Sequence, residues 1–295
     1  MKQAVPICAI LVVILFIPTS KAGAGHGEDY PEVSKETILR TLSFADPASV
    51  KSMNVDNIDG SIHVTGYEGT TVQVEIVKTI RARSEDDAEM ARKEVDLKIS
   101  EKDNRIELYV DGPFRSQNGA REWRRVFYRV TLDFEIRVPR TCDLDLRTVN
   151  NGEIRVKGVS GKFDIANVNG RIEMEEVAGS GSLHSINGGI KAGFVGNPAG
   201  DCSFDSLNGN LELIFGRGLS ADCWFQTFNG NAYTDFNIQP LLRPAGEQER
   251  KNRRYVYRSN RNFGVRIGSS GPQLKFKTLN GNIYVRERQD SNVEK

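Results

Sequence analysis

A short phrase of alternating apolar and polar residues, built around an Asn-Gly pair, recurs along the chain. In the copy at 168–174, Ile172 and Met174 are apolar, whereas Arg171 and Glu173 are charged. An alternation with a period of two predicts a β-strand with one buried face. The Asn-Gly pair accepts a positive backbone φ at low cost, which favours a tight turn before that strand. With a second short strand upstream, each copy supplies two strands and two turns.

The copies of this repeat are regularly spaced. Their glycines are Gly152, Gly170, Gly188, Gly209, Gly230 and Gly281, with a variant copy at Gly60. The first five are 18, 18, 21 and 21 residues apart, and the 51 residues before the last one indicate an insertion. The regular spacing predicts that successive copies are equivalent units of one architecture.

Two arrangements of the repeats fit the pattern. Asn-Gly could close antiparallel hairpins, or each repeat could be one coil of a parallel β-solenoid. The solenoid better explains why one residue type recurs at one coil position, because equivalent positions then stack about 4.8 Å apart. We therefore predict a mainly β protein, a parallel β-solenoid of 18–21-residue coils with one N-terminal helix and a strand-rich cap.

Equivalent positions form four columns of similar residues. Two apolar columns are expected to face inward: Ile165, Leu183, Phe204, Phe225 and Phe276, and Val168, Ile186, Leu207, Phe228 and Leu279. One column is a structural ladder whose side-chain amides can bond up the stack: Asn169, Asn187, Asn208, Asn229 and Asn280. The last column is small and polar: Asn167, Ser185, Ser206, Thr227 and Thr278.

The pattern and composition of the sequence predict the following segments. Residues 53–140 are expected to hold a first coil, a helix from Ser84 to about Val95 with an N-cap and acidic first turn, and strands that cap the solenoid. Residues 141–286 are the solenoid repeats, with a basic insertion at 239–263, and 287–295 form a polar tail.

The N-terminus has the features of a secretory signal. A lysine precedes an apolar run of about 15 residues, and small residues follow at Ala22 and Ala24. The run is shorter than the ~20 residues that a membrane-spanning helix needs. We predict a signal peptide at 1–24, a lead-in at 25–52, and export to the periplasm, the outer cell surface or the medium.

Composition narrows the chemistry. The 40 basic and 39 acidic residues give a formal charge of +1, so a nucleic-acid partner is not expected. Only 3 histidines are present, and neither G-x-S-x-G nor H-E-x-x-H occurs. We predict no catalytic residue, no metal site and no cofactor.

Two groups of residues are candidates for chemistry or binding. Cys202 and Cys223 share a column, either as stacked core thiols or as a disulfide between coils. The basic insertion interleaves cations with aromatics, which can hold an anionic glycan or a lipid headgroup, or form a solvated loop or a cover over Trp224. The candidate ligand-binding residues are Arg253, Arg254, Tyr255, Tyr257, Arg258 and Trp224.

Clustered carboxylates raise an enzymatic alternative. Some β-helix enzymes cleave polysaccharides with paired carboxylates, although exposed acids usually serve solubility. The candidates are Asp143, Asp145 and Asp164 on one side, and Asp201, Asp205 and Asp222 on the other. His184 falls in a variable outward column and is expected to be solvated.

The segments Arg137–Arg140 and Cys142–Asn150, together with the serial x-Asn-Gly-x-Ile-x-Val coils, resemble the bacterial putative-adhesin β-strand-repeat family of unknown function. The resemblance covers about Met53 to Arg286 and departs at 239–263. It implies an extracytoplasmic, largely β, solenoid-like protein, and it brings no catalytic residues.

The leading functional prediction is an exported, non-enzymatic β-solenoid, an adhesin or cell-envelope interaction protein with a repetitive binding face. Expected partners are envelope polysaccharide, a lipid headgroup or another surface protein. The alternatives are a carbohydrate-active β-helix enzyme that uses surface carboxylates, and a structural envelope scaffold that self-associates through its solenoid ends.

Overall fold

The computed structural model describes residues 12–13, 30–46, 48–115, 126–241, 249–251, 254–256 and 262–289. The predicted signal peptide lies outside the described residues except for Val12 and Val13, as does the tail beyond residue 289. The described chain is mainly β and divides into two compact units, 1–153 and 154–295.

The first unit contains one helix among its described residues, α1 (Glu85–Glu94). Its strands are β1 (Val12–Val13), β2 (Glu32–Ser43), β3 (Ser52–Asp56), β4 (Ile62–Tyr67), β5 (Thr71–Ala82), β6 (Asp96–Lys102), β7 (Arg105–Asp111), β8 (Tyr128–Pro139) and β9 (Asp143–Thr148). One sheet has the order β1-β2-β5-β8-β4 and the other β9-β3-β7-β6. Both sheets are mixed, because β5 pairs antiparallel with β8 while β4 pairs parallel with it, and β3 pairs parallel with β7 while β6 pairs antiparallel with it.

Helix α1 forms where its capping residues predict it. Ser84 has extended backbone angles, and its hydroxyl accepts a hydrogen bond from the Asp87 amide at 3.2 Å. Three acids occupy the first turn and two basic residues the last, which suits the helix dipole. Ala88 and Ala91 are buried, so the helix packs through its small residues.

The second unit carries the repeats on two sheets. One sheet holds β10 (Ile154–Lys157), β12 (Ile172–Val177), β14 (Ile190–Phe194), β16 (Leu211–Phe215), β18 (Ala232–Thr234) and β24 (Ile283–Glu287). The other holds β11 (Phe163–Asn167), β13 (Gly181–Asn187), β15 (Cys202–Asn208), β17 (Ala221–Asn229), β19 (Ile238–Pro240), β22 (Asn262–Ile267) and β23 (Gln273–Asn280), and a separate hairpin holds β20 (Glu249–Lys251) and β21 (Arg254–Val256).

Neighbouring repeats of the second unit pair in parallel and in register. The first sheet runs β10-β12-β14-β16-β24-β18 with parallel pairs, and the second runs β11-β13-β15-β23-β17 in the same manner. Strand β22 then pairs antiparallel with both β17 and β19. The sheets are therefore partly antiparallel, and the uniformly parallel stack that was predicted is not seen throughout.

The repeats do not stack in chain order. The last copy of the repeat consists of β23 and β24. In one sheet β23 lies between β15 and β17, and in the other β24 lies between β16 and β18. The insertion explains this order, because its strand β22 occupies the outer edge of β17. The final repeat consequently pairs on the inner side of β17, where Phe276 stacks on both Phe204 and Phe225 at ring-centroid distances of 5.3 and 5.0 Å.

The first predicted apolar column is buried, and the second is not. Ile165, Phe204 and Phe276 are at most 1% exposed, whereas Leu207 and Phe228 of the second column are 42% and 56% exposed. The expectation that both columns face inward is wrong, because Ile165 and Val168 are three residues apart. An odd separation places two residues on opposite faces of a strand.

The small polar column faces inward instead. Ser185, Ser206 and Thr278 are at most 5% exposed. Each hydroxyl donates a hydrogen bond to the carbonyl of a glycine in the neighbouring turn, for example Ser206 Oγ to Gly188 O at 2.9 Å and Thr278 Oγ1 to Gly209 O at 3.0 Å. This column therefore satisfies turn carbonyls at the edge of the core.

The repeat glycines permit close stacking of these turns. A Cβ on Gly209 would lie 2.3 Å from the carbonyl oxygen of Gly188, and a Cβ on Gly281 would lie 2.1 Å from that of Gly209. Neither glycine has a positive φ, in contrast to Gly60 in the variant copy, where φ is 118°. The expectation that these glycines serve positive φ is wrong for the regular copies, where they are required because turns meet backbone to backbone.

Candidate binding face

The outward side of β11, β13, β15, β23 and β17 forms a regular surface, which we call the ladder face. The strand register aligns its outward residues into rows that cross the sheet. The middle row is Ala166, His184, Asp205, Lys277 and Gln226, and the outer row is Asp164, Ser182, Ser203, Lys275 and Trp224. The row nearest the Asn-Gly turns is the apolar stripe, which comprises Val168, Ile186, Leu207, Leu279 and Phe228.

The apolar stripe is more exposed toward β17. Val168 and Ile186 are partly exposed, Leu207 and Leu279 are 42% and 41% exposed, and Phe228 is 56% exposed. Single exposed apolar residues are ordinary on a protein surface, but a contiguous row marks a candidate contact site. The sequence predictions placed this row in the core and therefore missed it.

The asparagine ladder borders the stripe on the turn side. Asn187 Nδ2 donates to Asn169 Oδ1 at 2.9 Å, and Asn208 Nδ2 donates to Asn187 Oδ1 at 2.9 Å. Asn280 and Asn229 continue the series at 2.7 Å for each bond, in the spatial order of the strands. The amides bond to one another, so the ladder gives the stripe a rigid polar border.

Two adjacent hollows lie on the ladder face. The larger, of about 660 Å³, is lined by stripe residues and by the middle row: Leu207, Leu279, Phe228, His184, Asp205, Lys277 and Gln226 are among its walls. The smaller, of about 290 Å³, includes Trp224 and Lys275 and shares Asp205, Gln226 and Lys277 with the larger. Volumes of this size suit small ligands or parts of larger ones.

Charged groups on the face differ in how they are satisfied. Asp205 accepts a hydrogen bond from Ser203 Oγ at 2.7 Å. Lys275 and Lys277 form no ion pair within the part of the chain that the structure describes. The two lysines therefore leave a local excess of positive charge beside the stripe.

Other candidate carboxylates form hydrogen bonds or ion pairs with neighbouring side chains. Asp222 receives two hydrogen bonds from Arg266, at 2.7 and 2.8 Å, and this guanidinium lowers the pKa of Asp222 below its usual value. Asp145 pairs with Arg147 at 3.0 Å, and Asp164 accepts from Ser182 at 2.6 Å. A glycosidase acid needs a raised pKa, so the arrangement of Asp222 is the opposite of the one that chemistry uses.

Of the two alternatives for the cysteines, the disulfide is not formed. Cys202 and Cys223 are free, and both are aligned with Leu274 of the intervening strand β23. Two strand spacings amount to about 9.6 Å, which is beyond the reach of a disulfide. Burial raises the pKa of Cys202 to about 11 and that of Cys223 to about 12, so both thiols act as core residues.

Much of the basic insertion lies outside the described residues. Arg253, Tyr257 and Arg258 lie outside the described residues, and Arg254 and Tyr255 belong to β21, which pairs antiparallel with β20. The half-buried Trp224 lies on β17 next to β22, where a Cβ added at Gly264 would be 2.7 Å from its ring. The indole therefore packs closely over the backbone of β22 on one side.

Neither a metal centre nor a membrane-spanning helix occurs among the described residues. No group of three or more histidines, cysteines or acids among them is arranged to hold a metal ion. In the same residues, no helix has both the length and the apolar character needed to cross a membrane.

Among the comparisons with known proteins, only the solved structures include matches to this chain. No protein-family profile and no curated protein matches the chain. A putative cell adhesion protein from Clostridium sporogenes is 9% identical, with a TM-score of 0.43, over 86% of this chain and 100% of its own. A putative lipid binding protein from Parabacteroides distasonis is 10% identical, with a TM-score of 0.36, over 86% and 97%. A putative adhesin from Bacteroides fragilis is 10% identical, with a TM-score of 0.27, over 85% and 97%.

Proposed function

We propose that this chain is an exported, non-enzymatic binding protein of the adhesin type that contacts cell-envelope material through its ladder face. The observation that carries the proposal is the apolar stripe, where Leu207, Leu279 and Phe228 stand 41–56% exposed on neighbouring strands. Exposing such a row to water has a free-energy cost that a bound partner would remove.

Strand pairing, sequence features and the hydrogen bonds of the carboxylates give further support. The parallel stacking of repeats supports a solenoid-like architecture, and the motif resemblance supports membership of the putative-adhesin β-strand-repeat family. The charged and apolar features at 1–24 support export to the periplasm, the outer surface or the medium. The carboxylates near the face are held by Arg266, Ser203 and Ser182, which favours a binding role over hydrolysis.

Co-sedimentation of residues 25–295 with isolated envelope fractions tests the proposal. The fractions are insoluble cell-wall polysaccharide and vesicles of envelope lipid, assayed separately. We expect binding to at least one fraction, and at least a tenfold loss of affinity in the variant Leu207→Ser/Leu279→Ser. The matched control, Val50→Ser/Val195→Ser, changes residues that are 74% and 50% exposed and do not belong to the ladder face, and it should bind like the parent.

Two outcomes would overturn the proposal. The first is the absence of binding to either fraction by a folded parent chain. The second is the release of new reducing ends from the polysaccharide, abolished by Asp205→Asn with folding retained. The second outcome would replace the binding function with the carbohydrate-active alternative.

A further inference from the structure

The apolar stripe is long and narrow. It crosses five strands, from the end of β11 to β17, which is about 19 Å at a strand spacing of about 4.8 Å. It is one side chain wide, because the middle row, polar from His184 to Gln226, lies on one side of it and the Asn-Gly turns end the strands on the other. A surface of this shape fits a single extended hydrocarbon chain rather than the flat apolar interior of a bilayer.

Positive charge is concentrated beside the stripe near its β17 end, on β23, the fourth of the five strands. Lys275 and Lys277 lie two residues apart on β23, so they project from the same face of that strand. Both are exposed, and neither forms an ion pair with any described residue. Asp205 is aligned with Lys277 from the β15 side, so an anion would bind on the opposite side, above β23 and β17.

The side chain on that opposite side is Trp224. It is aligned with Lys275 and lines the smaller hollow together with both lysines. An indole combines an apolar body with one N–H donor, and it is favoured where an apolar region meets a polar one. Lys275 and Trp224 thus share the outer row, Lys277 lies in the middle row, and the apolar stripe follows, so a site with two cations and an indole flanks the β17 end of the stripe.

We propose that the ladder face binds one single-chain anionic amphiphile, such as a long-chain carboxylate, with its acyl chain along the apolar stripe and its headgroup between Lys275, Lys277 and Trp224. This inference rests on the proposed binding function and names the class of ligand. A saturated chain of roughly 16 carbons, with bonds of ~1.5 Å at tetrahedral angles, matches the length of the stripe. Acetate has the same headgroup without the chain and is not expected to bind.

Calorimetric titration with hexadecanoate below its aggregation concentration tests the proposal. The variant Lys275→Gln/Lys277→Gln should bind hexadecanoate about 30-fold more weakly, roughly fivefold for each cation, and should bind a neutral amphiphile of equal chain length as the parent does. Leu207→Ser/Leu279→Ser should weaken both ligands at least tenfold. The control Val50→Ser/Val195→Ser should leave both affinities unchanged.

Several results would overturn the inference. The first two are the absence of hexadecanoate binding and an unchanged hexadecanoate affinity in the lysine variant. The third is binding to anionic vesicles without binding to monomeric hexadecanoate, which would indicate that the face contacts a membrane surface instead. If envelope co-sedimentation persists while the monomer does not bind, the ligand class is wrong and the proposed function stands. If both are absent, the proposed function itself fails.

Discussion

Replacing Gly209 by alanine tests whether the repeat glycines are required for close stacking of the turns. The new Cβ would lie 2.3 Å from the oxygen and 2.5 Å from the carbon of the Gly188 carbonyl, whereas ordinary contacts begin at 3.4 Å. The turn would therefore have to move by about 1 Å. It is held by the bond from Gly209 N to Asn280 O at 3.0 Å and by the Asn208–Asn187 amide bond at 2.9 Å.

We expect Gly209→Ala to lower the free energy of unfolding by about 3 kcal/mol, at the upper end of the range for overpacking, because the clash involves backbone atoms on both sides. For a chain of this length the thermal midpoint should fall by roughly 6 °C. Differential scanning calorimetry and urea unfolding of the same preparations measure the two quantities.

Gly196→Ala is the matched control. No atom lies within 4 Å of a Cβ built at Gly196, which has no positive φ. This substitution should be neutral, or stabilising by about 0.4–1 kcal/mol, because alanine restricts the unfolded chain. If Gly209→Ala were as stable as Gly196→Ala, the close-approach explanation for the repeat glycines would be refuted.

Three further predictions concern the inward polar column, the buried thiols and the pair of Asp222 with Arg266. Thr278→Val should lower the free energy of unfolding by about 1–3 kcal/mol in urea denaturation, because it leaves the Gly209 carbonyl without its buried donor; no change would contradict a role for the inward polar column. Burial raises the pKa of the thiols of Cys142 and Cys223 to about 12 and that of Cys202 to about 11. These thiols should therefore resist a thiol reagent at pH 8 in the folded protein and react fully in denaturant. Rapid reaction of the native protein would show that they are accessible. Asp222→Asn should destabilise the chain by less than about 1 kcal/mol near pH 6, because it breaks a partly exposed pair with Arg266. The pKa of Asp222 is lowered in the folded state, so this difference should be present above the unfolded pKa and vanish as the pH falls through the folded pKa; a difference that persists in acid would point to another cause.

Local features of the fold were accessible from the sequence because they depend on short-range patterns. The alternation around each Asn-Gly pair predicts the strands, and Ser84 with its following acids predicts α1 within a residue at each end. The buried aromatic column through Phe204 and Phe276 follows from the repeat itself. These signals each lie within one repeat or one helical turn.

The outward stripe was missed although its signal was present. Counting two residues at a time from Ile165 reaches Asn167 and passes over Val168, so strand alternation alone places Val168 on the outside. Similarity of hydrophobic character was given precedence over this count. The same count places Ser185 and Ser206 on the inward face, where their hydroxyls donate to turn carbonyls.

Other features depend on long-range pairing that no local pattern encodes. The insertion lengthens the step from Gly230 to Gly281 to 51 residues, so the sequence does not determine on which side of β17 the last repeat pairs. The separation of Cys202 from Cys223 follows from that choice. Glycine is selected both by positive φ and by close approach, so residue identity alone does not distinguish Gly60 from Gly209.

The position of the final repeat has a consequence for biosynthesis. A ribosome releases β15 and β17 well before residues 273–287 exist, so the stack cannot grow by adding one rung after another. The two strands must wait with facing edges unpaired, or first pair with each other and later separate, until the last segment enters between them. Such late, sequence-distant pairing is slow and leaves edges open to other chains in the meantime. A chain truncated before residue 273 would therefore lose the middle of the stack rather than its end.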